Sequence, residues 1–88
     1  MTEVTVAIEN KTGIHARPAS LFVQTAAGYK SKIQLEAKGK TVDAKSILML
    51  MSLGLVRGTE VKIIADGEDE ADAVKALKEL IESKFGEE

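Results

Sequence analysis

Residues 31–43, SKIQLEAKGKTVD, contain the pattern of two short strands and a turn, and this segment sets the expected fold class. Ile33, Leu35 and Ala37 alternate with polar residues over 31–38, and a period of two predicts a strand with one buried face. Residues 38–40 predict a turn, and residues 41–43 predict a short partner strand. A sheet with one apolar and one solvated face is typical of antiparallel strands.

The flanking segments complete the expected fold. Residues 2–9 and 59–66 also alternate, and each predicts a strand. Residues 16–27, 47–53 and about 69 or 70 to 85 carry apolar side chains at helical spacing. The apolar stripe of the first helix is Ala19, Phe22, Val23, Ala26 and Ala27, and that of the last is Val74, Leu77, Leu80, Ile81 and Phe85. The predicted architecture is α/β (α+β): an open-faced sandwich in the order βαββαβα, with a four-stranded antiparallel sheet and three helices on one face.

Three residues indicate where the first two helices begin or end. Pro18 falls in the first turn of the first helix, where its missing N–H is tolerated. Gly28 is predicted to cap that helix at its C-terminus, and Ser46 to cap the second at its N-terminus.

Composition excludes several classes of function. The 88 residues predict a single domain over 1–88, with 44% hydrophobic and 30% charged residues and a net charge of −2. No basic stripe is visible and only three residues are aromatic, so we expect no direct nucleic-acid partner. The N-terminus lacks a signal-peptide pattern and no apolar stretch approaches a membrane span. We therefore expect a cytoplasmic protein with no membrane partner, and a monomer.

The sequence also offers little for a metal or cofactor. It has one histidine and no cysteine, whereas a metal site needs several converging ligands. Its acidic residues lack EF-hand spacing, and no phosphate-binding GxxxxGK[ST] loop occurs. We expect no metal and no cofactor.

The segment TGIHARP, residues 12–18, is the candidate for chemistry. A lone histidine is usually a surface residue or a satisfied, partly buried one. His15, however, stands where a loop becomes a helix, and a helix N-terminus favours anions and disfavours a protonated imidazole. Arg17 adds a permanent cation whose planar fork suits phosphate oxygens. Gly13 gives the loop access to conformations that other residues resist. These features indicate a neutral imidazole beside a phosphate-binding site.

At these residues the sequence resembles the HPr family, the phosphocarrier proteins of the bacterial sugar phosphotransferase system. The resemblance covers the whole chain and includes Gly-Ile-His-Ala-Arg-Pro at 13–18, Lys-Ser-Ile at 45–47 and Leu-Gly-Leu at 53–55. It implies that His15 accepts a phosphoryl group on Nδ1 from enzyme I, which is charged from phosphoenolpyruvate, and passes it to sugar-specific IIA components. It implies that Arg17 stabilises the phosphate, together with the backbone amides of Ala16 and Arg17. The chain is then a carrier and not an enzyme.

The resemblance gives Ser46 a second interpretation besides capping. It implies a regulatory phosphorylation site for HPr kinase/phosphorylase, whose product acts as corepressor for a catabolite-control transcription factor. The adjacent run of residues 47–51 is apolar on every side and is either a covered core helix or a partner-docking patch. We predict docking through Ile47, Leu48 and Met51. Met49 departs from the polar or small residue expected at that position.

Two other classes of function remain as alternatives. The first is a purely regulatory HPr-like corepressor, and the presence of His15 argues against that limited role. The second is a small ligand-binding or RNA-binding domain that shares the layout by convergence. The scarce aromatics and absent basic patch count against RNA.

Overall fold

A computed structural model describes residues 1–9, 13–14, 16–83 and 85. Across these residues the chain forms four strands and three helices in the order βαββαβα, as predicted. They are β1 (Thr2–Ala7), α1 (Ala16–Ala27), β2 (Lys32–Ala37), β3 (Lys40–Asp43), α2 (Ile47–Ser52), β4 (Glu60–Asp66) and α3 (Glu70–Glu82).

The strands form one antiparallel sheet in the order β1-β4-β2-β3. Val6 pairs with Val61, and Leu35 pairs with both Ile63 and Val42, so apolar residues of all four strands lie on one face. On the other face the Lys62 ammonium lies 3.8 Å from Glu3 and 3.7 Å from Glu36. These exposed ion pairs add little stability. The sheet therefore buries a single face, as the alternating pattern predicts.

The helices cover that apolar face. Phe22 of α1, Leu50 of α2 and Leu77 of α3 are fully buried and belong to the same core as the sheet residues. Helix α3 packs on β1 and β4, while α1 packs against α2 and α3. Helices α1 and α2 are thereby brought side by side.

Helix α3 is shorter than predicted. It ends at Glu82, where the Ser83 amide donates to the Glu79 carbonyl and the Ser83 hydroxyl donates to the Leu80 carbonyl. Phe85 was expected on the helical stripe, but it follows the helix with a φ of 55°. Its side chain is buried nonetheless. The apolar pattern correctly predicted that Phe85 belongs to the core, but the prediction that Phe85 lies within the last helix was wrong.

Helix α1 has the predicted bounds but a different buried face. Pro18 is buried in the first turn, Ala27 is exposed and Val23 is only half-buried. Gly28 does not take the left-handed conformation typical of a glycine C-cap. Its amide instead donates to the Thr25 carbonyl at 3.2 Å, which tightens the last turn.

Two carboxylates at the start of α3 fasten other parts of the chain. Asp69 accepts hydrogen bonds from the Lys30 amide at 2.8 Å, the Ser31 amide at 2.9 Å and the Ser31 hydroxyl. The Ser31 hydroxyl and these amides lower the pKa of Asp69 to about 2. Glu70 accepts from the Thr2 hydroxyl and lies 3.0 Å from the N-terminal ammonium, and these contacts lower its pKa to about 2.

These carboxylates predict acid sensitivity. A carboxyl group whose pKa is lower in the folded state stabilises the fold above its unfolded pKa, and that contribution is lost as the pH falls through the folded value. We expect the free energy of unfolding to fall between about pH 4 and pH 2. In urea titrations the Asp69→Asn variant should be less stable than the parent at pH 7, with a difference that shrinks in this range. A constant difference would contradict the assignment.

Candidate functional site

The N-terminus of α1 is exposed and carries a cation. Ala16 and Arg17 are the first two helical residues and both are exposed. Backbone amides in the first turn of a helix have no acceptor within the helix and can bind an anion. Within the part of the chain that the structure describes, Arg17 pairs with no carboxylate. This helix end therefore presents first-turn amides and a positive charge to solvent.

The segment that leads into this helix is held by the loop after α2. The Ile14 amide donates to the Leu55 carbonyl at 3.0 Å, and the Ile14 side chain is buried. Gly13 has a φ of 66°, and a Cβ there would lie 2.4 Å from the Leu55 carbonyl oxygen. The close approach and the left-handed backbone both require glycine.

His15 lies outside the described residues, as do residues 10–12. Its two neighbours are described: Ile14 is buried and hydrogen-bonded, and Ala16 begins α1. The structure therefore describes the residues on both sides of the predicted nucleophile. The exposed Arg17 follows Ala16 in α1.

Helix α2 leaves most of its side chains on the surface. Leu50 is its buried residue, whereas Ile47 is 36%, Leu48 79% and Met51 43% exposed. Met49 is also exposed, at 45%. Exposure of these apolar side chains contradicts the alternative of a covered core helix. All three residues predicted for docking lie at the surface.

Ser46 occupies the N-cap of α2, as predicted. Its backbone is extended, with φ −115° and ψ 113°, and its side-chain oxygen accepts a hydrogen bond from the Met49 amide at 3.4 Å. The preceding Lys45 ammonium donates to the Tyr29 carbonyl at 2.8 Å. Ser46 is half-buried, at the border between a fixed loop and an exposed helix.

The structure adds one residue that sequence reasoning missed. The Lys38 ammonium, from the turn between β2 and β3, donates to the Gly54 carbonyl at 2.8 Å. Gly54 precedes Leu55, whose carbonyl accepts the hydrogen bond from the Ile14 amide. The β2–β3 hairpin therefore supports the loop after α2, and that loop supports the segment that leads into α1. Because Lys38 and Gly54 belong to different elements, no local pattern indicates this contact.

A shallow depression of 390 Å³ lies at the end of β1. It is lined by residues 7–9 and by Arg57 and Gly58, which follow directly on the Leu55–Val56 segment under Gly13. Across the described ranges, no three histidine, cysteine or acidic side chains converge as a metal ion would require. No helix in those ranges has the length and apolar character to cross a membrane.

Comparison with known proteins assigns the family. The family model of the PTS HPr component phosphorylation site matches residues 2–83. The chain belongs to the HPr family. Its fold is that of the HPr phosphocarriers, and the resemblance of the chain to this family is confirmed.

Solved structures of relatives agree with this assignment. HPr-C-His from Thermoanaerobacter tengcongensis is 60% identical with a TM-score of 0.97, covering 100% of this chain and 99% of that one. The phosphocarrier protein HPr from Bacillus anthracis str. Ames is 40% identical with a TM-score of 0.88, covering 91% and 95%. Crh, the catabolite repression protein of Bacillus subtilis, is 48% identical with a TM-score of 0.76, covering 96% and 97%.

Some of these relatives are dimers. A second structure of the Thermoanaerobacter tengcongensis protein, with a TM-score of 0.80, is an HPr dimer. The Bacillus subtilis Crh structure is an intertwined dimer with a swapped domain. Both findings are at odds with our expectation of a monomer.

The contact between Gly13 and Leu55 yields a testable prediction. We expect Gly13→Ala to lower the free energy of unfolding by about 2 kcal/mol or more, because Ala must adopt a positive φ and its Cβ meets the Leu55 carbonyl. The matched control is Gly39→Ala, where φ is 78° and nothing lies within 4 Å of the added Cβ. That variant should lose only about 1 kcal/mol. Equal losses in urea denaturation would show that the Leu55 contact is unimportant.

Proposed function

We propose that the chain carries a phosphoryl group on His15, accepting it from enzyme I charged by phosphoenolpyruvate and passing it to IIA components of sugar permeases. The observation that carries this proposal is the placement of Ile14 and Ala16, the two residues that flank His15 in the sequence. Ile14 is hydrogen-bonded to Leu55, and Ala16 opens α1 beside the exposed Arg17. His15 therefore connects a fixed segment to the positive end of a helix.

The chemistry requires a neutral nucleophile. The partial positive charge at a helix N-terminus opposes protonation of the imidazole and leaves a ring nitrogen lone pair available near neutral pH. Nδ1 attacks the phosphorus of the donor, the donor's bond to phosphorus breaks, and a phosphoramidate forms. In the transfer to a IIA component the acceptor attacks the phosphorus, the N–P bond breaks, and neutral His15 is regenerated.

The surroundings then have to hold the phosphate without trapping it. The amides of Ala16 and Arg17 and the Arg17 guanidinium are donors suited to phosphate oxygens. All of them lie at an exposed helix end, where water weakens their interaction. Because each 1.4 kcal/mol changes an equilibrium about tenfold, a deeply buried, tightly binding site would stall onward transfer.

The exposed face of α2 is the proposed docking surface for enzyme I and IIA components. Ile47, Leu48 and Met51 lie at i, i+1 and i+4 and share one side of the helix. Helix α2 packs against α1, and the Leu55 carbonyl in the loop after α2 accepts a hydrogen bond from the Ile14 amide just before α1. A partner seated on this surface would therefore lie close to the start of α1. We propose that these three residues seat the partner while His15 exchanges the phosphoryl group.

Ser46 is the proposed regulatory site for HPr kinase/phosphorylase. A phosphate there would meet the N-terminus of α2, which favours negative charge, so the helix need not unfold. A serine phosphoester has low transfer potential and suits a lasting signal. The 48% identity to Crh favours a second function, binding of a catabolite-control transcription factor by the Ser46-phosphorylated form. A purely regulatory role is the alternative, and His15 argues against it.

Intact mass measurement tests the carrier function. With phosphoenolpyruvate and enzyme I, the chain should gain one acid-labile phosphate that His15→Ala abolishes. Arg17→Ala should slow transfer about tenfold because one charge-assisted hydrogen bond to phosphate is lost. Its circular dichroism should not change. Lys75→Ala, which removes an exposed cation on α3, is the control and should transfer normally. No mass gain with an enzyme I that phosphorylates another HPr would contradict the proposal.

The Ser46 assignment has its own test. Incubation with ATP and HPr kinase/phosphorylase should add one acid-stable phosphate, and Ser46→Ala should prevent this. The same variant should destabilise the fold by about 1 kcal/mol through loss of the cap. Ser52→Ala removes a second serine near the same helix and should leave phosphorylation unchanged. An acid-stable phosphate on the Ser46→Ala protein would contradict the site.

A further inference from the structure

The sulfur atoms of this protein all belong to surface methionines. The sequence has no cysteine and three methionines, at positions 1, 49 and 51. Their exposed fractions are 78%, 45% and 43%. The buried core holds no methionine in the described ranges. A mild oxidant therefore reaches the exposed methionine thioethers before it reaches the side chains of the buried core.

Helix α2 separates its sulfurs from its structural contacts. Leu50 is the residue that enters the core, and the N-cap bond uses the backbone amide of Met49. The Ser52 hydroxyl donates to the Met49 carbonyl, which is again a backbone group. Neither methionine side chain takes part in these interactions, so changing its polarity leaves the helix supported.

The two methionines of α2 differ in position. At 3.6 residues per turn, Met51 lies about 40° from Ile47 and about 60° from Leu48 around the helix axis. Met49 lies about 160° from Met51, on the far side of Leu48. Met51 is therefore part of the docking surface, and Met49 is at its border.

We propose that Met51 is a reversible oxidation site that controls partner docking. Its thioether attacks hydrogen peroxide, the O–O bond breaks, an S–O bond forms, and water leaves. Sulfur is oxidised by two electrons and the peroxide oxygen is reduced. The product is a polar sulfoxide, which a methionine sulfoxide reductase returns to the thioether with electrons from a dithiol.

The consequence for function rests on the proposed docking role of α2. A partner that covers Ile47, Leu48 and Met51 would have to remove water from the sulfoxide oxygen without offering it a hydrogen bond, which is unfavourable. Oxidation of Met51 should therefore weaken docking and slow phosphoryl transfer, while His15 and Arg17 keep their chemistry. Oxidation of Met49 places the polar group beside Ser52 and the solvent.

Two leucine variants isolate the two sulfurs. Met49→Leu leaves Met51 as the oxidisable residue of α2, and Met51→Leu leaves Met49, with similar side-chain volume in both. Each variant is oxidised with hydrogen peroxide, freed of peroxide, and mixed with enzyme I and phosphoenolpyruvate. Peptide masses locate each added oxygen atom, and circular dichroism monitors the fold. Met1 is present in both variants and cancels in the comparison.

Oxidised Met49→Leu should transfer phosphate about tenfold more slowly than its reduced form, and the reductase with dithiothreitol should restore the rate. Oxidised Met51→Leu should stay within about twofold of its reduced form, because the border position keeps access to water. Equal slowing of both variants, or no slowing of oxidised Met49→Leu, would overturn the assignment to Met51.

A substitution in the reduced protein separates this inference from the proposed function. Leu48→Ser places a polar group on the docking surface without oxidation and should also slow transfer. If Leu48→Ser transfers normally, docking occurs elsewhere and the control by Met51 is overturned, while the carrier function stands. If the reduced parent accepts no phosphate from a competent enzyme I, the carrier function and the inference drawn from it both fail.

Discussion

Burial of a single sheet face is the constraint on which the rest of the molecule depends. Strand β4 lies between β1 and β2, and its residues Val61, Ile63 and Ala65 are fully buried. All three helices have to cover this face, because the opposite face carries Lys62 and its acidic neighbours. Since burial of apolar area is the main favourable term in folding, the helices have little freedom to lie elsewhere. Crowding on one face places α1 against α2.

Because α1 and α2 are packed together, the parts of the candidate site share the same supporting contacts. The loop after α2 returns beneath the entry to α1, where the Leu55 carbonyl accepts from the Ile14 amide. Lys38 supports the same loop from the opposite side through the Gly54 carbonyl. The docking proposed for α2 and the chemistry proposed for the residue before α1 would therefore share one backbone support.

Local patterns in the sequence predicted most of the fold because its elements are short and sharply punctuated. Alternation predicted three of the four strands, the short strand at 41–43 was predicted to follow the turn at 38–40, and the N-cap at Ser46 was predicted from residue type. The pattern overextended β1 to residue 9: the strand ends at Ala7, and Ile8 then exchanges backbone hydrogen bonds with Gly58 and Thr59, which precede β4. It also placed Phe85 in α3, since apolar spacing cannot distinguish a helical residue from one that a turn brings back to the core.

The site was only partly predictable for a related reason. Gly13 and Ser46 carry local signals, a loop glycine and a capping serine, and the structure gives both a physical role. The contacts of Leu55 with Gly13 and of Lys38 with Gly54 join residues that are distant in the chain, so they depend on the packed core. The exposure of α2 is also a tertiary property, because it follows from how little sheet remains for a third helix to cover.

The small size of α2 explains how one helix can serve both fold and function. Six residues contribute a single buried side chain, Leu50, and the cap and the following loop hold the helix ends. Its other apolar side chains are partly or largely exposed, which suits the docking role proposed for this helix. A longer helix would bury more of its surface against the sheet and leave less of it exposed. The chain thus keeps an apolar surface on the helix that contributes the fewest buried residues to the core.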